Sequence, residues 1–144
     1  MITIQTLVNK PVETTWKLYT EPAHIVHWNF ASEDWHCPKA ANDLRPGGTF
    51  CYNMAARDGS MAFDFEGAFH TVAAPRQLNY RLADGREVTV LFEDTDAGTQ
   101  VTLTFEPENM HPEEMQRAGW QAILDNFKKY AINAEPEDIL FNEL

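Results

Sequence analysis

Between Ala41 and Phe105 the chain carries five strand-length apolar alternations in a row, and a long amphipathic stretch follows. The alternating positions are Phe50, Tyr52 and Met54; Met61, Phe63, Phe65 and Phe69; Leu78, Tyr80 and Leu82; Val88, Val90 and Phe92; and Val101, Leu103 and Phe105. A period of two sends successive side chains to opposite faces, so each strand has one buried face and one wet face. The punctuation agrees: Arg57 to Ser60 (RDGS), Ala83 to Arg86 (ADGR) and Asp96 to Thr99 (DAGT) are hairpin turns whose glycines accept positive φ. Within Asp43 to Phe50 (DLRPGGTF), Pro46-Gly47-Gly48 forms a turn between a short strand and a long one, and Ala74-Pro75 interrupts a later strand.

Downstream, Pro112 opens a helix with Glu113 and Glu114 in its first turn, where the helix dipole favours anions. Trp120, Ile123, Leu124 and Phe127 recur at i, i+3, i+4 and i+7, the spacing of one buried stripe. A meander plus one such helix predicts an α+β fold, a curved antiparallel sheet wrapped around the helix with aromatic side chains between them. That arrangement favours a hollow for an apolar ligand.

Upstream, Ile2 to Val8 reads as a first strand. Pro11 then starts a helix in which Val12, Trp16 and Tyr19 share a face, and Pro22 restarts a short one carrying Ile25, Val26 and Trp28. Asn29 to Asn42, with Trp35, His36, Cys37 and Pro38, shows no period and is predicted to be a loop rimming the hollow. Residues 1–133 form one expected domain, followed by an acidic tail, 134–144. Ile139-Leu140-Phe141 in that tail either docks back on the chain or is buried in a homodimer.

A length of 144 residues suits one domain with a sizeable core. The net charge of −11 argues against a nucleic-acid backbone as partner and against anionic membranes. No apolar run approaches the ~20 residues that cross a bilayer. MITIQTLVNKPVE lacks a basic start followed by an apolar block, so no secretion signal is read and the expected compartment is the cytoplasm. Cys37 and Cys51 are expected to be reduced, with Cys51 on the face of the sheet opposite Phe50 and Tyr52.

The candidate pocket consists of Trp28, Trp35, Phe50, Tyr52, Met54, Met61, Phe63, Phe65, Tyr80, Phe92, Trp120 and Leu124. The competing reading is a core filled by these large side chains. The polar tips on the inward side are the Tyr52 and Tyr80 phenols and the indole N–H groups of Trp28 or Trp120. An unperturbed phenol, with a pKa near ~10, orients a ligand well but is a poor general base. Asp64, Glu66 and His70 fall on the outward face. His24 and His27, three apart, and His36-Cys37 have ligand-type side chains, but their spacing suits surface or rim residues better than a zinc site. No Ser–His–Asp set, phosphate-cradling glycine loop or paired carboxylate motif stands out, so no catalytic residue, metal or cofactor is assigned. Gly119 inside the final helix costs about 1 kcal/mol relative to alanine, so close helix–sheet packing is expected there.

The order of elements resembles the helix-grip fold of the START/Bet v1-like (SRPBCC) superfamily. Three segments are similar to the family of activator of heat-shock protein 90 ATPase homologues: PVETTWKLYTEPAHIVHW, DLRPGGTFCYNM followed by FEGAF, and HPEEMQRAGWQAILDNFKKY. Together they span roughly Ile2 to Ile132. The resemblance implies the helix-grip fold and a superfamily of lipid carriers, hormone receptors, polyketide cyclases and aromatases. The functional expectation is a non-enzymatic binder of a small hydrophobic or aromatic molecule. A cyclase- or aromatase-like enzyme and a chaperone-associated interaction module are the alternatives, since fold alone does not fix function.

Overall fold

A computed structural model describes residues 1–135. The elements in chain order are β1 (Ile2–Val8), α1 (Val12–Thr20), α2 (Pro22–Ile25), β2 (Trp35–Asn42), β3 (Thr49–Ala56), β4 (Ala62–Ala73), β5 (Gln77–Leu82), β6 (Glu87–Thr95), β7 (Gly98–Phe105) and α3 (Glu113–Asn133). All seven strands join one antiparallel sheet in the order β1-β7-β6-β5-β4-β3-β2. Hairpins link β2 through β7, and β1 returns to pair with β7, Ile2 opposite Phe105 and Val8 opposite Thr99. The sheet curls around α3, the helix-grip architecture that the alternation implies.

One expected loop is a strand. Residues 35–42 form β2, paired to β3 from Trp35 opposite Ala56 to Asn42 opposite Phe50. The register shifts between His36 and Lys39, where Cys37 and Pro38 face the single position Met54. Such a bulge erases the alternation that marks a strand in sequence, and Pro38 is tolerated because β2 is an edge strand. A second shift, between Phe69 and Thr71, moves the inward set of β4 from Phe63, Phe65 and Phe69 to Val72, which pairs with Leu78.

The core is richest in rings where α1, α2, β6 and α3 meet. Phe92 lies under the edges of Trp16 and Tyr19, at centroid distances of 5.1 and 5.5 Å. Phe127 of α3 meets Tyr19 and Trp28 at 5.0 and 4.9 Å, both nearly perpendicular, as ring quadrupoles prefer. The start of α3 is fixed by buried Gln116. Its amide nitrogen donates to the carbonyls of Glu108 and His111, and its oxygen accepts from the Glu108 N–H. Further along, Asn126 donates to the Trp28 carbonyl at 2.8 Å and so ties α3 to the turn that follows α2.

Gly119 departs from expectation. A Cβ built there would have nothing within 4 Å, so close packing against the sheet is not why α3 carries glycine. A close approach at the cavity side of the sheet is found at Gly67 in β4 instead. A Cβ there would run into the Arg81 carbonyl and come within 3.0 Å of the Phe50 ring. Glycine at this position lets Phe50 lie flat across its strand neighbour.

Candidate functional site

Between the concave face and α3 lies a cavity of about 260 Å³. Strand β3 supplies Phe50, Tyr52 and Met54, and β4 supplies Phe63, Phe65 and Phe69. Leu78 and Tyr80 enter from β5, Leu103 from β7, and Trp120, Ile123 and Leu124 from α3. Tyr19, Thr20, Trp28 and Asn29 close the end near α1 and α2, while Leu44 and Arg86 come from turns. The rings are offset or edge-on, with Phe50 perpendicular to Tyr80 at 5.0 Å and Phe65 perpendicular to Trp120 at 5.8 Å.

Three residues expected at the hollow lie outside it. Phe92 has the inward phase of β6, but Trp16 and Tyr19 cover it and leave it 1 % exposed. Met61 precedes β4 in the turn, where its carbonyl accepts from the Ala56 N–H, and its side chain is 62 % exposed. Trp35 meets the edge of Phe63 at 5.9 Å from β2 and stops short of the cavity wall. The other nine line the cavity: Trp28, Phe50, Tyr52, Met54, Phe63, Phe65, Tyr80, Trp120 and Leu124.

The sequence reading missed Tyr19 at this site, having assigned it only to the apolar face of α1. Its spacing with Trp16 is the same for a residue facing the sheet as for one at the cavity end. The alternation of β6 did carry a signal for Arg86, which has the phase of Val88, Val90 and Phe92 and is, among the described residues, the one charged side chain on the wall.

The polar groups of the wall are mostly neutral. Tyr52 accepts a hydrogen bond from the Asn42 amide at 3.0 Å, and that amide also donates to the Thr20 carbonyl at 2.8 Å. No described residue hydrogen-bonds the hydroxyls of Tyr19 or Tyr80. Burial pushes all three phenols well above the usual tyrosine range. The neighbouring phenols reinforce this for Tyr19 and Tyr80, while for Tyr52 the Asn42 contact opposes it and nearby Cys37 adds to it. They therefore stay protonated around neutral pH and can each donate one hydrogen bond. The Trp28 indole is committed elsewhere, donating to the Leu18 carbonyl at 2.9 Å.

Of the histidines expected at the surface or rim, His24 departs from expectation and His27 does not. His24 is fully buried, with Nδ1 2.7 Å from the Tyr130 hydroxyl and Nε2 3.7 Å from a Glu21 carboxylate oxygen. Exposed His27 stacks on the same tyrosine at 5.5 Å, so the three-residue spacing serves a shared contact with α3. Cys51, Asp64 and Glu66 bring their ligand-type atoms within 4.8 Å of one another on the opposite face of the sheet. Burial first, then these two carboxylates, raises the Cys51 thiol, which disfavours the thiolate that metals require. Asp64 also accepts from the Asn53 amide at 3.0 Å. His70, on the outward face as expected, bonds Glu87 at 2.8 Å. Ile139-Leu140-Phe141 lies outside the described residues.

Among the described residues no helix is long and apolar enough to cross a membrane. Comparison with curated proteins gives no match. Among solved structures the chain is similar to the AHSA1-like protein of Aeromonas hydrophila, 46% identical over 90% of each chain with a TM-score of 0.86. It is also similar to Chr148 of Cytophaga hutchinsonii, 44% identical over 97% of this chain and 94% of that one with a TM-score of 0.79. CV1439 of Chromobacterium violaceum, 19% identical over 92% of this chain and 98% of that one, shares the fold with a TM-score of 0.82. The model of the family described as activator of Hsp90 ATPase homolog 1-like protein matches residues 9–131. With that match over most of its length, the chain belongs to the activator of Hsp90 ATPase homolog 1-like family.

Proposed function

We propose that this protein binds a small hydrophobic or aromatic molecule in the cavity between the sheet and α3, and does so as a cytoplasmic binder rather than as an enzyme. The observation that carries the reading is the partly open hollow walled by Phe50, Phe65, Tyr80 and Trp120. Rings of this size could have filled the core, and here they stand around a void instead. Concave apolar sites with a few orienting polar groups are the usual form of small-molecule pockets. Binding is favoured over turnover by the chemistry of the wall. Its phenols are held protonated, and no histidine, carboxylate or thiol lines it among the described residues.

Native mass spectrometry of protein purified from its own host would show a retained ligand as added mass. Thermal melts with a panel of aryl compounds provide the second arm, since a ligand that binds only folded protein raises the midpoint. The expected result is a raised midpoint with compact aryl compounds and none with long-chain alkanes. Melts that no compound shifts, together with a bare mass, would overturn the reading.

A further inference from the structure

Among the described residues, Arg86 is the single charged side chain on the cavity wall of a protein whose net charge is −11. We propose that the ligand is a compact aromatic carboxylate, its ring among the cavity aromatics and its carboxylate on the Arg86 guanidinium. This inference rests on the ligand-binding reading above and specifies the chemical class of the ligand.

The β5–β6 turn fixes the cation. The Leu82 N–H donates to the Arg86 carbonyl at 2.9 Å, and the Arg86 N–H donates to an Asp84 carboxylate oxygen at 3.1 Å. The side chain then takes the inward phase of β6, two residues before Val88, and is only 22 % exposed. Its Nε donates to Asp84 at 2.8 Å, but Asp84 itself is 53 % exposed. A pair with so much water around one partner holds the guanidinium only weakly. The two terminal nitrogens have no hydrogen-bond partner among the described residues, and a planar carboxylate matches a guanidinium fork.

The remaining polar groups of the wall fit an anion as well. The Tyr19, Tyr52 and Tyr80 phenols are neutral donors, and among the described residues no acidic side chain lines the cavity to repel a carboxylate. The acidic exterior opposes anion entry only weakly, because exposed charges are screened beyond about 8 Å at physiological salt. Size narrows the body of the ligand. A cavity of about 260 Å³ falls just below the roughly 300–1,000 Å³ of drug-sized sites and suits one or two fused rings.

The test compares 2-naphthoate with 2-naphthamide, a neutral analogue of nearly the same shape, by calorimetric titration of the full chain at neutral pH. A charge-assisted hydrogen bond in a partly buried site corresponds to about tenfold or more in affinity, so naphthoate should bind the parent by that factor more tightly. Arg86→Gln should remove the preference by weakening naphthoate alone, Arg86→Lys should retain part of it, and Asp84→Asn should strengthen naphthoate alone. Naphthamide binding as tightly as naphthoate to the parent would overturn the carboxylate while leaving the cavity reading intact. A preference that persists in Arg86→Gln would remove Arg86 from the site. Should Arg86→Gln fail to fold, Asp84→Asn decides, and naphthoate affinity unchanged by it counts against the proposal. Binding of neither compound would overturn this inference, and the cavity reading would fall with it only if the aryl panel also left the melting midpoint unchanged and the native mass were bare.

Discussion

The Trp120 indole lies almost parallel to the Phe105 ring, with centroids 4.0 Å apart and planes 12° from each other. The same indole meets Phe65 edge-on, so one side chain of α3 touches β7 and β4, which are separated in the sheet by β6 and β5. Phe105 is fully buried and Trp120 partly so. Trp120→Ala should therefore cost about 3 kcal/mol, the low end for an aromatic truncation, as read by urea denaturation. Trp120→Phe should recover most of that stability because it keeps the stack. A cost for Trp120→Ala below about 1 kcal/mol would show that the stack does not hold α3 against the sheet.

Phe63 and Phe92 separate binding from stability. Phe92→Ala removes a ring that is 1 % exposed and should cost about 3–5 kcal/mol. Phe63, at 48 % exposure, lines the cavity near its opening, and Phe63→Ala should cost no more than about 1 kcal/mol while weakening aryl ligands severalfold. Denaturation and ligand titration on the same preparations check both. Equal losses of stability in the two variants would contradict the different roles.

These two residues also mark how far the fold could be read from sequence. Period-two alternation revealed the strands from β3 to β7 and their inward faces, and the three-four spacing revealed α3. Alternation reports the face of a strand but not what covers it. Phe63 and Phe92 therefore look alike in sequence, although one borders the cavity and the other lies beneath Trp16 and Tyr19. Strand β2 was hidden by its bulge at Cys37 and Pro38, and Tyr19 by a tertiary placement that helical spacing does not encode.

Gly119→Ala should stabilise the protein. A Cβ there meets nothing, and glycine inside a helix costs about 1 kcal/mol relative to alanine. An increase of about 0.5–1 kcal/mol in unfolding free energy is expected from denaturant melts. A destabilised variant would show that α3 needs glycine for some reason other than space.

Gly67→Ala should act in the opposite direction. The added methyl collides with the Arg81 carbonyl, which is backbone and cannot turn aside, and crowds the Phe50 ring. Overpacking of this kind costs about 1–3 kcal/mol. Displacing Phe50 should also weaken aryl binding, since that ring contacts Tyr52, Phe65, Phe69 and Tyr80. A crystal structure and a thermal melt of the variant would check both effects, and an unchanged melting temperature would refute the first.

Cys51 should alkylate slowly for a partly exposed thiol. Burial and the adjacent Asp64 and Glu66 carboxylates raise its pKa, so at a given pH below that pKa the reactive thiolate fraction is smaller than for a free cysteine. The pH at half-maximal iodoacetamide rate should lie above that of a model thiol. The double variant Asp64→Asn, Glu66→Gln should move it down and speed the reaction at neutral pH. A midpoint unaffected by the two substitutions would mean the carboxylates do not act on the thiol.

Helix α3 does more than close the concave face. Arg117 donates to the Thr3 carbonyl at 2.7 Å and Gln121 to the Gln5 carbonyl at 3.4 Å, so side chains occupy backbone acceptors on the free margin of β1. At the other margin, β2 has the kink at Cys37 and a proline that cannot donate. Unpaired margins are where sheets recruit foreign strands, and helix cover, bulges and prolines are the devices that prevent it. The meander thus carries such a device at each end against strand-by-strand growth into fibrils, which favours association between copies of this chain through side-chain surfaces over a shared sheet.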